Sequence, residues 1–139
     1  MKTGEIRNRI KALVKLSRES GDINELIEIA LEMGQLLFYV QENESEYHRL
    51  YLTAYNTRKN NESRIILKYI NEERMSATKA QSNAQLEVME LKNLESNFEV
   101  DWNDVKGFRY TIQDYKNGVQ QKIAHLRKEA EIESLNQHG

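Results

Sequence analysis

The sequence predicts an all-α protein, an elongated helical hairpin or antiparallel coiled-coil-like bundle of three to five helices. Residues 35–106 contain no glycine, and the 139-residue chain contains no proline. Both residues are disfavoured in helix interiors, so their absence over this length favours long helices. Apolar residues recur at helical spacing, and no strand-like alternation persists.

The first helix is predicted over about Gly4–Ser17, since its apolar residues fall on one face. Gly21 can adopt the left-handed conformation that closes a helix. Asp22 and Glu25 have the spacing of a capping box for the next helix. The apolar positions of the first helix are Ile6, Ile10, Leu13 and Val14.

The second helix is predicted to start at Ile23 and carries the strongest apolar stripe of the chain. Residues 41–46 contain no apolar residue, so the helix either continues there in solvent or the chain bends. Residues 60–63, Asn-Asn-Glu-Ser, form the weakest helical segment of the middle third, where a turn is the alternative to a continuous helix. The stripe consists of Leu26, Ile27, Ala30, Met33, Leu37 and Val40, and Leu36 and Phe38 widen it.

Small residues dominate residues 76–85, where Ala77, Ala80 and Ala84 share a helix face and favour close packing against another helix. Further on, Asp101 is predicted to cap a last helix. Gly107 and Gly118 weaken that helix, and residues 133–139 are expected to fray.

The chain is predicted to be a single helical domain over residues 1–139. Residues 1–20 form a basic helix, 22–132 the long-helix body and 133–139 a frayed tail. Because 39% of residues are hydrophobic against 30% charged, narrow stripes are expected to be covered by neighbouring helices or copies of the chain. A homo-oligomer is therefore expected. The predicted interface consists of Leu26, Ile27, Met33, Leu37, Val40, Ala77, Ala80 and Ala84.

Charge alternates in blocks along the chain, although the net charge is only −2. The net charges of residues 1–21, 22–46, 47–79, 80–104 and 105–139 are +4, −7, +4, −5 and +2. Unlike blocks favour contacts between segments or between subunits, where they set orientation more than stability. Solvated helix faces are the simpler explanation.

Several functional classes lack support in the sequence. The absence of cysteine excludes disulfides and cysteine-based zinc sites, and no segment has the length of a membrane span or the apolar core of a signal peptide. His48, His125 and His138 have no metal-binding spacing, and no phosphate-binding loop or nucleophile elbow occurs. We therefore expect a cytoplasmic, non-enzymatic protein without cofactor, metal or small-molecule substrate.

A basic segment with interleaved tyrosines occupies the middle of the chain. Cations follow a phosphate backbone and aromatic faces stack on bases, so this mixture suits single-stranded nucleic acid. Tyrosines at helical spacing can instead belong to a core, and a protein-interaction module without nucleic-acid binding is the alternative function. The candidate nucleic-acid-binding residues are Arg49, Arg58, Lys59, Arg64, Lys68 and Arg74.

Two segments resemble the UvsY-like recombination mediators of T-even-type bacteriophages. One is the apolar helix followed by a basic, tyrosine-containing helix, residues 33–69. The other is the alanine-rich stretch of residues 77–84, which leads into Leu-Glu-Val-Met at 86–89. The resemblance implies a helical homo-oligomer that binds single-stranded DNA and helps to load a recombinase in exchange for a single-strand-binding protein. It implies DNA contacts by Arg58, Lys59, Arg64 and Lys68. The alternative is a phage-encoded adaptor or inhibitor of a host system.

Overall fold

Four helices make up the structure, a computed structural model that describes residues 1–138. They are α1 (Thr3–Glu19), α2 (Ile23–Asn71), α3 (Ala77–Glu87) and α4 (Met89–His138). No strand occurs among these residues, so the predicted all-α bundle is confirmed. The chain forms two compact units. Unit 1 contains Met1–Asn43 and the chain from Val105 onward, and unit 2 contains Glu44–Asp104. The single-domain assignment stays a prediction.

Unit 1 is built from α1, the first part of α2 and the later part of α4. Each helix buries one apolar face, with side chains repeating every three or four residues as helical periodicity requires. The buried apolar residues include Ile6, Ile10 and Leu13 of α1, Leu26, Met33 and Val40 of α2, and Ile112, Val119 and Ile123 of α4.

Three polar side chains order the junction between α1 and α2. The Asp22 carboxylate accepts a hydrogen bond from the Asn24 amide at 3.1 Å, which caps α2 as predicted. Glu25 does not return directly to the Asp22 amide. Instead, the Ser20 hydroxyl donates to Glu25 at 2.9 Å and accepts from the Asp22 amide at 3.2 Å. The capping box is thus closed through Ser20 rather than by Glu25 alone.

Unit 2 is built from the later part of α2, α3 and the first part of α4. Its buried apolar side chains are small, with Ala54, Ala80 and Ala84 among them. α3 begins at a Ser76 cap, whose hydroxyl accepts from the Lys79 amide at 3.3 Å. Of the three alanines in the alanine-rich stretch, Ala80 and Ala84 pack in the core of unit 2, whereas Ala77 is exposed.

The alternative of a turn at residues 60–63 is wrong, because α2 continues to Asn71. Local side-chain bonds support the helix there, with the Asn61 amide donating to the Thr57 carbonyl at 2.9 Å and Arg58 pairing with Glu62 at 3.0 Å. The chain reverses at residues 72–76 instead. Arg74 adopts a positive φ of 53° in this turn, a conformation usually left to glycine.

α4 is longer than the sequence predicts. Asp101, expected as a helix cap, lies inside α4, and the helix passes through Gly107 and Gly118 without ending. Residues 41–46 are helical too, so α2 does not bend out of helix there. α4 continues to His138, and fraying of its exposed end stays a prediction. Among residues 1–138, no helix combines the length and apolarity that crossing a membrane requires.

The predicted interface between copies consists mostly of core residues. Six of its eight members are buried within one chain, while Ile27 is half-buried and Ala77 is exposed. A side chain enclosed by its own chain cannot also contact a second copy in this conformation. The expectation that the main stripe of α2 contacts a second copy is therefore corrected, because helices of the same chain cover that stripe. The buried six are Leu26, Met33, Leu37, Val40, Ala80 and Ala84.

Candidate nucleic-acid interface

A stripe of four exposed cations runs along α1 in unit 1. Their spacing of four, four and three residues keeps them on one side of a helix with 3.6 residues per turn, over about 17 Å. Arg9 points elsewhere and forms a two-bond ion pair with Glu32, at 2.7 and 2.9 Å. The stripe, hereafter the α1 stripe, consists of Arg7, Lys11, Lys15 and Arg18.

The α1 stripe borders a groove between α1 and α4. Two adjoining hollows of about 390 and 340 Å³ form this groove, and Val14, Arg18 and Tyr115 line both. Four cations and two carboxylates line the hollows together, so the groove has an excess of positive charge. The cations are Lys11, Lys15, Arg18 and Lys122, and the carboxylates are Glu19 and Asp114.

Two aromatic side chains of α4 lie along the α1 stripe. The exposed Tyr115 forms part of the wall of both hollows. Gly118, one turn further along α4, contributes no side chain beside it. At the other end of the stripe, the Arg7 guanidinium lies 4.3 Å from the centre of the Phe108 ring. That contact holds Arg7 in place by cation–π attraction while its helix position remains exposed.

Lys122 closes the groove at the end of α1. Its ammonium donates to the Ser17 carbonyl at 2.7 Å and lies 3.5 Å from the Arg18 carbonyl. The last carbonyls of a helix carry partial negative charge, so a lysine there is stabilising. Lys122 thus joins α1 to α4 as well as adding a cation to the groove.

The structure removes Arg58 from the set of predicted nucleic-acid contacts. Only 8% of this residue is exposed. Its guanidinium is hydrogen-bonded through Nε and Nη2 to Glu95, which is 2% exposed, and pairs with Glu62 at 3.0 Å. Each of the three guanidinium nitrogens therefore donates a hydrogen bond to a carboxylate of unit 2. A buried, paired guanidinium is not available to a phosphate.

The other predicted contacts are exposed but do not form one surface. Arg49 pairs with Glu46, and Arg74 lies in the turn after α2. Arg64 and Lys68 are four residues apart and share a face, whereas Lys59 precedes Arg64 by five residues and lies on another side. Unit 2 carries eight Lys/Arg and eleven Asp/Glu, a net charge of −3. Its overall charge thus opposes nucleic-acid binding.

The tyrosines of the middle segment contribute to packing inside unit 2. Tyr51 stacks against Trp102 at 5.7 Å, and His48 stacks on the same indole at 4.3 Å. The Tyr69 hydroxyl donates to Glu87, a hydrogen bond that raises the pKa of Tyr69. These half-buried side chains fit the alternative that the sequence left open, in which tyrosines at helical spacing belong to a core.

The α1 stripe is the part of the candidate site that the sequence prediction missed. Its residues belong to the +4 block of residues 1–21, which the sequence identifies only as part of a basic helix over residues 1–20. The spacing 7, 11, 15, 18 was a readable signal, since it places four cations along one side. Tyr115 carried no such signal, because its position beside α1 depends on how α4 packs.

The Arg58–Glu95 pair makes the folding stability of the protein depend on pH in the acid range. Hydrogen bonding by Arg58 lowers the pKa of Glu95 below the ordinary glutamate value of 4.5, against the opposing effect of burial. Its contribution is therefore fully present above about pH 4.5 and is lost as the pH falls through the lower pKa of the folded state. We expect urea midpoints of the wild type to fall more steeply below pH 4.5 than those of an Arg58→Met/Glu95→Leu variant. Equal slopes would contradict this linkage.

No group of three or more His, Asp or Glu side chains within residues 1–138 is arranged to hold a metal ion. Comparison of the chain with known protein families, with curated proteins and with solved structures finds no match.

Proposed function

We propose that this protein is a non-enzymatic helical protein that binds single-stranded nucleic acid in the groove between α1 and α4. The observation that carries the proposal is the α1 stripe, four cations on one side of α1, beside an exposed tyrosine of α4. The acidic remainder of the molecule limits binding to this groove.

The cations and the tyrosine of the groove suit different parts of a nucleotide. Lysine and arginine side chains neutralise phosphates and release counterions, which makes binding steeply dependent on salt. A base can stack on Tyr115, and such stacking contributes about 1–3 kcal/mol per base without requiring a particular sequence. Contacts of these two kinds bind a flexible single strand without reading its sequence.

The biological role that we propose follows the resemblance to UvsY-like mediators. A helical protein that holds single-stranded DNA assists a recombination or replication complex by helping a recombinase replace a single-strand-binding protein. Self-association would strengthen the weak contacts of one groove by avidity.

Neutralising the α1 stripe tests the proposal. In a Lys11→Gln/Lys15→Gln/Arg18→Gln variant, loss of three phosphate contacts is expected to lower the slope of log affinity against log salt by about 2. Affinity for a fluorescent oligothymidine should fall by about two orders of magnitude near 0.1 M salt. Fluorescence anisotropy at about 50 and about 200 mM salt measures both quantities.

A triple variant of unit 2 provides the matched control. Lys59→Gln, Arg64→Gln and Lys68→Gln change the total charge by the same amount but leave the α1 stripe intact. We expect this control to bind like the wild type. If it loses affinity while the α1 variant does not, the DNA contacts lie where the sequence placed them. If the wild type does not bind even at low salt, nucleic-acid binding is excluded.

A protein-interaction module is the second candidate function. Exposed apolar side chains on α2, among them Leu31 and Phe38, favour it, because large apolar groups on a surface mark contact sites. An adaptor of this kind binds its protein partner equally well with or without the α1 stripe. It would show no salt-dependent oligonucleotide binding.

A further inference from the structure

One side of α2 in unit 1 presents apolar positions with coiled-coil spacing. Ile27, Leu31, Gly34 and Phe38, hereafter the α2 seam, are separated by four, three and four residues, the spacing of a and d positions in a heptad. Leu31 is 64% exposed and Phe38 57%. The main stripe of α2 already faces the core of unit 1, so the seam is a second apolar face on the same helix.

Two hollows meet along the α2 seam. One, of about 650 Å³, is lined by Leu31, Gly34 and Phe38 with their neighbours, and the other, of about 260 Å³, lies between the seam and α4. A Cβ added at Gly34 would meet only the flexible end of Lys116, with Nζ 3.4 Å away. Because glycine has no side chain, only this flexible lysine end covers the centre of the seam, and it can move aside when another helix approaches closely.

The two edges of the α2 seam carry opposite charges. Glu28 and Glu42 flank it on one edge, each one heptad from Gln35, and Lys116 of α4 flanks it on the other. Within residues 1–138, none of these three charged side chains forms an ion pair or a side-chain hydrogen bond. Each edge therefore has charge that a helix seated on the seam could neutralise.

We propose that the α2 seam pairs with the α2 seam of a second copy, with the two helices parallel. A two-fold axis along the helices brings the Lys116 edge of each copy against the Glu28 and Glu42 edge of the other. An antiparallel pair would instead place like edges together. Charge complementarity thus selects a second copy in one orientation, and the spacing 27, 31, 34, 38 aligns each apolar position with its counterpart.

The proposal does not rest on nucleic-acid binding. Lys116 and Gln120 border the α2 seam, whereas Tyr115 and Lys122 border the α1 groove, so the two surfaces lie on different sides of α4. A parallel dimer leaves both grooves open.

Oligomeric state tests the proposal directly. Light scattering after size exclusion should give twice the 16.4 kDa chain mass for the wild type at high micromolar concentration. Leu31→Glu and Phe38→Glu should each give the mass of one chain, with an unchanged helical circular dichroism spectrum. Leu135→Glu, at an exposed leucine of α4 in unit 1 (72% exposed), is the matched control and should remain dimeric.

Single cysteines test the orientation, because the chain contains no cysteine of its own. In a parallel pair, Leu31→Cys and Phe38→Cys each lie opposite themselves, so each variant alone should form a disulfide-linked dimer under mild oxidation. In an antiparallel pair about Gly34, neither would form it alone, but a mixture of the two would. Leu135→Cys should not crosslink.

Three results would overturn the proposal. The first is a wild-type protein that stays monomeric at high micromolar concentration. The second is a dimer that survives both glutamate substitutions in the seam. The third is crosslinking only in the mixture of cysteine variants. A second protein bound to the seam of a monomer would identify a different occupant and would also count against it.

Discussion

Glu95→Ala is expected to lower the free energy of unfolding by about 3–5 kcal/mol, the range for breaking a buried ion pair from one side. The substitution leaves the Arg58 guanidinium enclosed in unit 2 without its main counter-charge. The remaining pair with Glu62, at 3.0 Å, is too little compensation for a side chain that is only 8% exposed. The uncompensated charge, rather than the lost attraction, accounts for most of the effect.

Urea unfolding followed by tryptophan fluorescence measures this loss, since the single Trp102 stacks on side chains of the same unit. Glu99→Ala, four residues along α4 at an exposed position, should change stability by less than about 0.5 kcal/mol. The double variant Arg58→Met/Glu95→Leu should recover most of the loss, because both buried charges are removed. A Glu95→Ala protein as stable as Glu99→Ala would refute the importance of the pair.

Ile112→Ala is expected to lower the free energy of unfolding by about 2–5 kcal/mol. Ile112 is fully enclosed in unit 1, and truncation there leaves a cavity as well as removing apolar contacts. Ile112→Val, which removes one methylene, should cost only about 0.5–1.5 kcal/mol. The graded pair separates a packing effect from a change in helix propensity.

Urea midpoints from circular dichroism at the helix band provide the measurement for unit 1. Leu135→Ala, at an exposed position on the same helix, is the control, and we expect it to unfold like the wild type within about 0.5 kcal/mol. If Ile112→Ala and Leu135→Ala shift the midpoint equally, the α4 face assigned to the core is not packed as described.

The helices themselves were predictable, whereas their ends were predictable only where polar side chains mark them. Asp22 indicates the start of α2 in the sequence, and its carboxylate caps that helix in the structure. The reversal after Asn71 has no such marker, because Arg74 takes the left-handed conformation that glycine usually signals. The absence of glycine over residues 35–106 correctly indicated helices but concealed this turn.

The candidate site was less predictable than the fold, because charge sign does not reveal a partner. The basic, tyrosine-containing pattern and the resemblance to UvsY-like mediators both predict a DNA contact by Arg58, yet Arg58 follows Ala54 by four residues and thus falls on the buried side of α2. Conversely, the α1 stripe was visible in the spacing of its cations, but the groove depends on the packing of α4 beside α1. The α2 seam was likewise only partly predictable. The sequence pattern places Ile27 in the core stripe, although Ile27 also shares a heptad with Leu31 on a different side of α2.

The left-handed arginine in the turn after α2 also bears on how far evolution has optimised this fold. A non-glycine residue in that conformation costs about 1 kcal/mol relative to glycine. The substitution Arg74→Gly would remove that cost without changing a residue of either core, of the groove or of the α2 seam. The natural chain is therefore less stable than one substitution could make it, as expected when selection requires only sufficient rather than maximal stability. Position 74 is therefore the first to substitute when a more stable variant of this fold is wanted.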